Sequence, residues 1–251
     1  MPITFLPHAT YDLKSAICGV SKKVHSNAPS PTNPQPHNPI TQQPHNPYPS
    51  QPNLCYTKVI MTKDDIITLP NTHLREKSRK VSEISEETKQ LVSEMTSAAL
   101  DWEASRPHEI SAALAAIQVD HLQRVVIVRS DFDNKDNNDF TALINPEVVK
   151  YEGKLVSDYE GCLSVKDVYG KVPRYSKIRV RATTLDGQEV RFKAEGFLAR
   201  VIQHEIDHTN GVVFIDHIKD SPKAFYRLNE DGELEPVDYE KVIKNNSILW
   251  D

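Results

Sequence analysis

The sequence predicts an α+β fold, and three observations lead to it. Residues 177–196, KIRVRATTLDGQEVRFKAEG, alternate apolar and polar side chains on both sides of an Asp186-Gly187 turn, the pattern of a half-buried β-hairpin. Residues 85–105 repeat apolar side chains at helical spacing through Leu91, Val92, Met95 and Ala99. A second helical pattern starts at Phe197, Leu198, Val201 and Ile202 and runs on through HEIDH, residues 204–208. Two helices among several mainly antiparallel strands make an α+β domain, with the sheets packed around the second helix.

In chain order, the first element is an extension without a core. Nine prolines fall between Pro29 and Pro52, in a stretch with few apolar residues. Proline removes backbone donors and fixes φ, so neither a helix nor a central strand can form there. Residues 1–56 are therefore expected to be a disordered, Pro-rich extension and linker. The repeated QPHNP, with His37 and His45, reads as low-complexity drift rather than a metal site, and Met61 is an alternative start.

The folded part is expected over 57–218. Its first helix has Ser85 as N-cap and Glu86 and Glu87 in the first turn, where the helix dipole favours anions. Strands follow at 124–129 (RVVIVR) and 141–149 (TALINPEVV), the latter interrupted at Pro146. Next come the 177–196 hairpin and the second helix. Residues 219–251 form an acidic extension of five basic and eight acidic side chains, expected to fold as a hairpin at EDGEL and a short helix at SILWD.

Composition narrows the function classes. The chain has 251 residues and a net charge of −5, which gives no strong attraction to nucleic acid or an anionic membrane. No apolar run approaches the length of a membrane span. Residues 1–25 lack the apolar core of a secretory signal, although they are poor in acids, as an organellar transit peptide is. Cys18, Cys55 and Cys162 do not form a disulfide framework, and a reducing, bacterial cytoplasm fits them best.

The HEIDH segment carries the chemistry. Residues four apart share a helix face, so His204 and His208 can aim ring nitrogens at one point. Glu205 is rotated slightly off that face, within reach of a water held there. The pattern fits two metal ligands and a general base, or two half-buried histidines with ordinary hydrogen bonds. Cys162, in YEGCLSV at 159–165, is a candidate third ligand that leaves a fourth position open, or an inert buried thiol.

Together the stretches are more specific. EGCLS before QHEIDHTNG, with LAAIQ further upstream, LPNTHLREKSRKV at 69–81 and VPR at 172–174, resembles peptide deformylase over about residues 65–218. The resemblance implies a hydrolase that removes the N-formyl group from the formylmethionine of newly made proteins and releases formate. It implies Cys162, His204 and His208 as ligands of one divalent metal, Fe(II) first, with Zn(II) or Ni(II) able to substitute. Glu205 would be the general acid/base. Gln118 and the backbone N–H of Leu163 would stabilise the oxyanion, and Glu160 with Arg174 would brace the cysteine strand. Ala113, Phe197, Arg200 and Val201 are the expected substrate wall.

Some residues depart from the family pattern or leave readings open. The family pattern GxGLAAxQ reads SAALAAIQ here, so Ser111 and Ala113 replace glycines beside the substrate. Arg200, four residues before His204, is expected to pack its stem and carry its head to water, or else to reshape the pocket. Gln203 and Asp207 are expected either behind the ligands or in solvent. Formylated nascent peptides are the expected partners, with transient ribosome contact, and docking through the acidic tail is not assumed. Two other readings compete: an H-E-x-x-H metallopeptidase, and a diverged relative whose metal site is only structural.

Overall fold

A computed structural model describes Ile17 and residues 60–132, 134 and 136–250. The expected disorder of residues 1–56, with Cys18, Cys55, His37 and His45, otherwise falls outside the described residues; Ile17 itself is buried in the main core.

Helix α1 spans Glu86–Ala104, and the Ser85 side chain caps it by accepting from the Thr88 N–H at 3.3 Å. Its stripe of Leu91, Val92, Met95, Ala98 and Ala99 is buried against β1 (Ala113–Ala115) and β2 (Val125–Arg129). β3 (Phe140–Cys162) and β4 (Val165–Thr183) form a long hairpin, and β5 (Glu189–Glu195) returns along the second half of β4. All ladders are antiparallel. The strand order is β1-β2-β3-β4, and β4 goes on to pair with β6 (Phe225–Leu228), which pairs with β7 (Leu234–Pro236). The expected hairpin and terminal helix of the tail are therefore present, the helix as α3 at Ser247–Trp250, and the tail extends the main sheet.

The expected interruption at Pro146 is a bulge within β3 and does not end the strand. The register shifts between Ile144 and Glu147, and Asn145 turns to φ 53°. Its side chain accepts from the Val81 N–H and donates to the Val81 carbonyl, each at 2.8 Å. A bulge tolerates a residue without an N–H where a regular ladder does not. Cys162 lies at the tip of the β3–β4 hairpin, paired with Val165 across the Leu163-Ser164 turn.

Helix α2, Gly196–His208, packs on β1, β2, β3, β4 and β5, and its apolar side fills the main core with Ile178, Val180, Phe192 and Leu143. It stops directly after His208. Gly211 then has φ +75°, and a Cβ there would lie 2.2 Å from the Arg75 carbonyl oxygen, so this turn needs glycine. No described helix is long and apolar enough to cross a membrane.

Candidate metal centre

The tip of the β3–β4 hairpin meets the last turns of α2. Cys162 Sγ is 3.2 Å from His208 Nε2, which is 3.2 Å from His204 Nε2. The three donor atoms lie within 4.8 Å of one another. A tetrahedral ion with bonds of about 2.0–2.3 Å needs donors roughly 3.3–3.7 Å apart. The donor set therefore fits a single ion.

Electrostatics orient the set. His204 Nδ1 contacts Glu160 Oε2 at 2.9 Å. A carboxylate there favours the proton on Nδ1 and leaves the Nε2 lone pair facing the cluster. Burial pulls the His204 pKa down, but the bonds to Cys162 and Glu160 outweigh it and raise the value well above the usual imidazole range. His208 goes the other way: burial, and then the charge of His204, hold it well below that range. A neutral imidazole is the form that binds a metal.

Glu205 is buried one position past His204, and its Oε2 has no hydrogen-bond partner. Burial raises its pKa to about 7. A proton acceptor poised near neutrality suits acid–base work.

Gln118 reaches the cluster from the short helical turn after β1. Its Oε1 accepts from the Ala115 N–H at 2.9 Å, which fixes which way the amide points. Nε2 donates to Ser164 Oγ at 3.1 Å and lies 3.5 Å from Cys162 Sγ. Leu163 borders the same cleft, at the turn beside Cys162.

The cleft holds about 200 Å³, with Ala113, Phe197 and Val201 among its walls. Phe197 meets Phe132 edge to face at 4.9 Å. The cluster also depends on Gly161, where a Cβ would come within 2.6 Å of the Tyr169 ring.

Behind the cluster, Arg174 Nε and Nη2 donate to Glu160 Oε1 and Oε2 at 2.9 and 3.0 Å. Burial raises the Glu160 pKa, but the bonds from His204 and Arg174 outweigh it and keep the carboxylate well below the usual range. Arg174 also pairs with Asp207, which contacts His217 Nε2 at 2.7 Å. Gln203 is buried, not solvated: its Oε1 accepts from Tyr175 N at 3.2 Å and its Nε2 donates to Tyr175 O at 2.9 Å.

Arg200 corrects the expectation of a head carried to water. It is 6% exposed, and its guanidinium points away from solvent into the hairpin, onto Glu160 and backbone carbonyls. Arg200 still lines the cleft. Sequence reasoning missed Ser164 and the wall made by Trp102, Ile110 and Tyr159. Ser164 stood inside EGCLS and could have been picked out there. The wall residues carry no pattern of their own.

Residues 63–224 match the model of the polypeptide deformylase family. The chain belongs to the polypeptide deformylase family. A peptide deformylase from Thermomicrobium roseum is 39% identical over 171 residues, 67% of this chain and 93% of that one. One from Halothermothrix orenii is 42% identical over 145 residues, 58% and 86% of the two chains. Among solved structures, a class I type b peptide deformylase from Acinetobacter baumannii, bound to Met-Ala-Ser, has a TM-score of 0.55 at 30% identity and covers 64% of this chain and 99% of that one. A peptide deformylase from Synechococcus elongatus, in complex with actinonin, has a TM-score of 0.54 at 32% identity, with 61% and 76% covered. Membership in this metal-dependent family makes the chain a hydrolase that removes formyl groups from the N-termini of newly made proteins.

Proposed function

We propose that Cys162, His204 and His208 hold one divalent metal, Fe(II) natively with Zn(II) or Ni(II) able to replace it, and that Glu205 is the general acid/base of deformylation. The observation that carries this reading is the convergence of three donors beside a buried carboxylate with an unpartnered oxygen. When bound, the metal polarises the formyl carbonyl and lowers the pKa of water from about 15.7 toward about 7.

The chain's own groups do the rest. Glu205 takes a proton from the attacking water as its oxygen bonds to the formyl carbon. The carbonyl oxygen gains negative charge, and Gln118 Nε2 with the Leu163 N–H hydrogen-bonds it. Glu205 then delivers the proton to the departing nitrogen as the C–N bond breaks. Formate and a free α-amine result, with one water consumed. Glu160 and Arg174 keep His204 aimed and the cysteine strand fixed.

Ala113, Phe197 and Val201 receive the methionine side chain, with Arg200 at the edge. The Met-Ala-Ser bound to the relative from Acinetobacter baumannii supports a peptide that begins with methionine as the ligand of this family's site. The partners are N-formylmethionyl nascent peptides met in transient contact with the ribosome, in a bacterial cytoplasm. Residues 57–218 act as the catalytic domain, with 219–251 as an extension folded onto it.

The test is formate release from formyl-Met-Ala-Ser by protein prepared without oxygen and loaded with Fe(II) or Ni(II). Turnover is expected with metal, and loss of turnover on chelation. Metal bound one per chain with no formate released would contradict the assignment.

A further inference from the structure

We infer that Arg200 is a positioning residue, which locks the Cys162 hairpin to the histidine helix and fixes Glu160 so that His204 stays aimed at the metal. The inference rests on the metal reading above. Arg200 sits one helical turn before His204 and is 6% exposed. Its Nη2 donates to the Val156 carbonyl at 2.6 Å, on β3. Its Nη1 donates to the Val172 carbonyl at 2.8 Å, on β4, and to Glu160 Oε1 at 2.7 Å, with the Asp158 carbonyl at 3.4 Å. One guanidinium therefore grips both strands of the hairpin whose tip carries Cys162.

Glu160 is held from three sides. Oε1 is shared by Arg174 Nε at 2.9 Å and Arg200; Oε2 is shared by Arg174 Nη2 at 3.0 Å and His204 Nδ1 at 2.9 Å. Arg174 alone would satisfy the charge of Glu160. It comes from β4, however, and bonds only within the hairpin, to Asp207 at the far end of α2 and to His217 beyond that helix. Arg200 supplies the link from the first half of α2. Without it, the hairpin is tied to α2 only from Gln203 onward, through Gln203, His204 and Asp207, and the turn before His204 loses its anchor. A metal site tolerates such loosening poorly, because support behind the ligands commonly sets affinity by 10–100-fold. The link needs the planar fork of arginine. An ammonium is a point charge that cannot serve Val156, Val172 and Glu160 together.

The experiment loads the full chain with Co(II) and reads the sulfur-to-cobalt charge-transfer band, with affinity measured by chelator competition. Arg200→Lys and Arg200→Met are compared with Arg129→Met. Arg129 is also buried, but it pairs with Glu103 and bonds to the Ser111 carbonyl at 3.0 Å and the Asn137 carbonyl at 2.9 Å, away from Glu160. Arg200→Lys is expected to weaken Co(II) binding by about 10–100-fold and to shift the band. Arg129→Met is expected to lower the melting temperature and leave the band unmoved. If Arg200→Met does not fold, Arg200→Lys decides the question. Wild-type affinity and an unmoved band in Arg200→Lys would overturn the inference, whatever its melting temperature. A wild-type protein that binds Co(II) without any such band would overturn the metal reading and the inference with it.

Discussion

Helices α1 and α2 are built on the same apolar spacing and use their polar residues in opposite ways. α1 buries six of its 19 residues, five of them apolar. Most of its polar side faces water, with local contacts such as Lys89 Nζ to Glu86 at 2.7 Å, and only near its C-terminal end do Asp101 and Glu103 reach Lys63 and the buried Arg129. α2 buries ten of its 13 residues, and Arg200, Gln203, His204, Glu205 and His208 are among them. Burying a polar group without a partner costs about 1–3 kcal/mol, and more for a charge. A helix can hide such a face only where something answers each group. Arg200, Gln203 and His204 have protein partners, whereas Glu205 Oε2 and His208 Nδ1 have none. Of the two, Glu205 Oε2 belongs to a residue that lines the cleft beside the cluster, where an unanswered carboxylate oxygen is available for chemistry.

The comparison can be broken most sharply at Glu205. Glu205→Gln keeps the shape of the side chain and removes its basicity. Its rate of formate release should fall about 100- to 10,000-fold with metal content and melting temperature near wild type. A rate within a fewfold of wild type would place the base elsewhere.

Next comes the network behind the ligands. Glu160→Ala leaves Arg174 and Arg200 buried without their shared carboxylate, and should cost about 3–5 kcal/mol in denaturant unfolding. A loss under about 1 kcal/mol would show that the two arginines find other partners cheaply.

α1 should respond mainly through its apolar stripe, apart from Glu103, which pairs with the buried Arg129. Met95 is fully buried, so Met95→Ala should cost about 2–4 kcal/mol in the same unfolding experiment. Lys89→Ala should change stability by less than about 0.5 kcal/mol, since its partner Glu86 has 88% of its side chain exposed. A larger effect at Lys89 would mean that α1 also relies on its polar side.

How much was legible in the sequence follows from the same contrast. The apolar stripes, the Ser85 cap, the Asp186-Gly187 turn and the helical spacing of His204 and His208 are local signals, and they appear as expected. The long arms of β3 and β4 were not legible. From Lys150 to Asp158 every residue but the half-buried Glu152 is exposed, on both faces of β3, Tyr151 and Leu155 included, so the apolar alternation that marks a half-buried strand is absent. The bulge at Pro146 depends on Asn145 bonding to Val81, 64 residues away in sequence. The fate of Arg200 was not legible either. Spacing places it on the ligand face, but its acceptors lie on two strands far away in the chain. The pairing of β6 with β4, which brings the acidic tail into the sheet, is equally nonlocal.

The most direct measurement is X-ray absorption at the zinc edge of zinc-loaded protein, since the central claim is that α2 buries its polar face to hold one ion with the hairpin. One sulfur at about 2.3 Å and two imidazole nitrogens at about 2.0 Å are predicted, with the remaining scattering from oxygen. A shell of nitrogen and oxygen with no sulfur would remove Cys162 from the site and contradict the account.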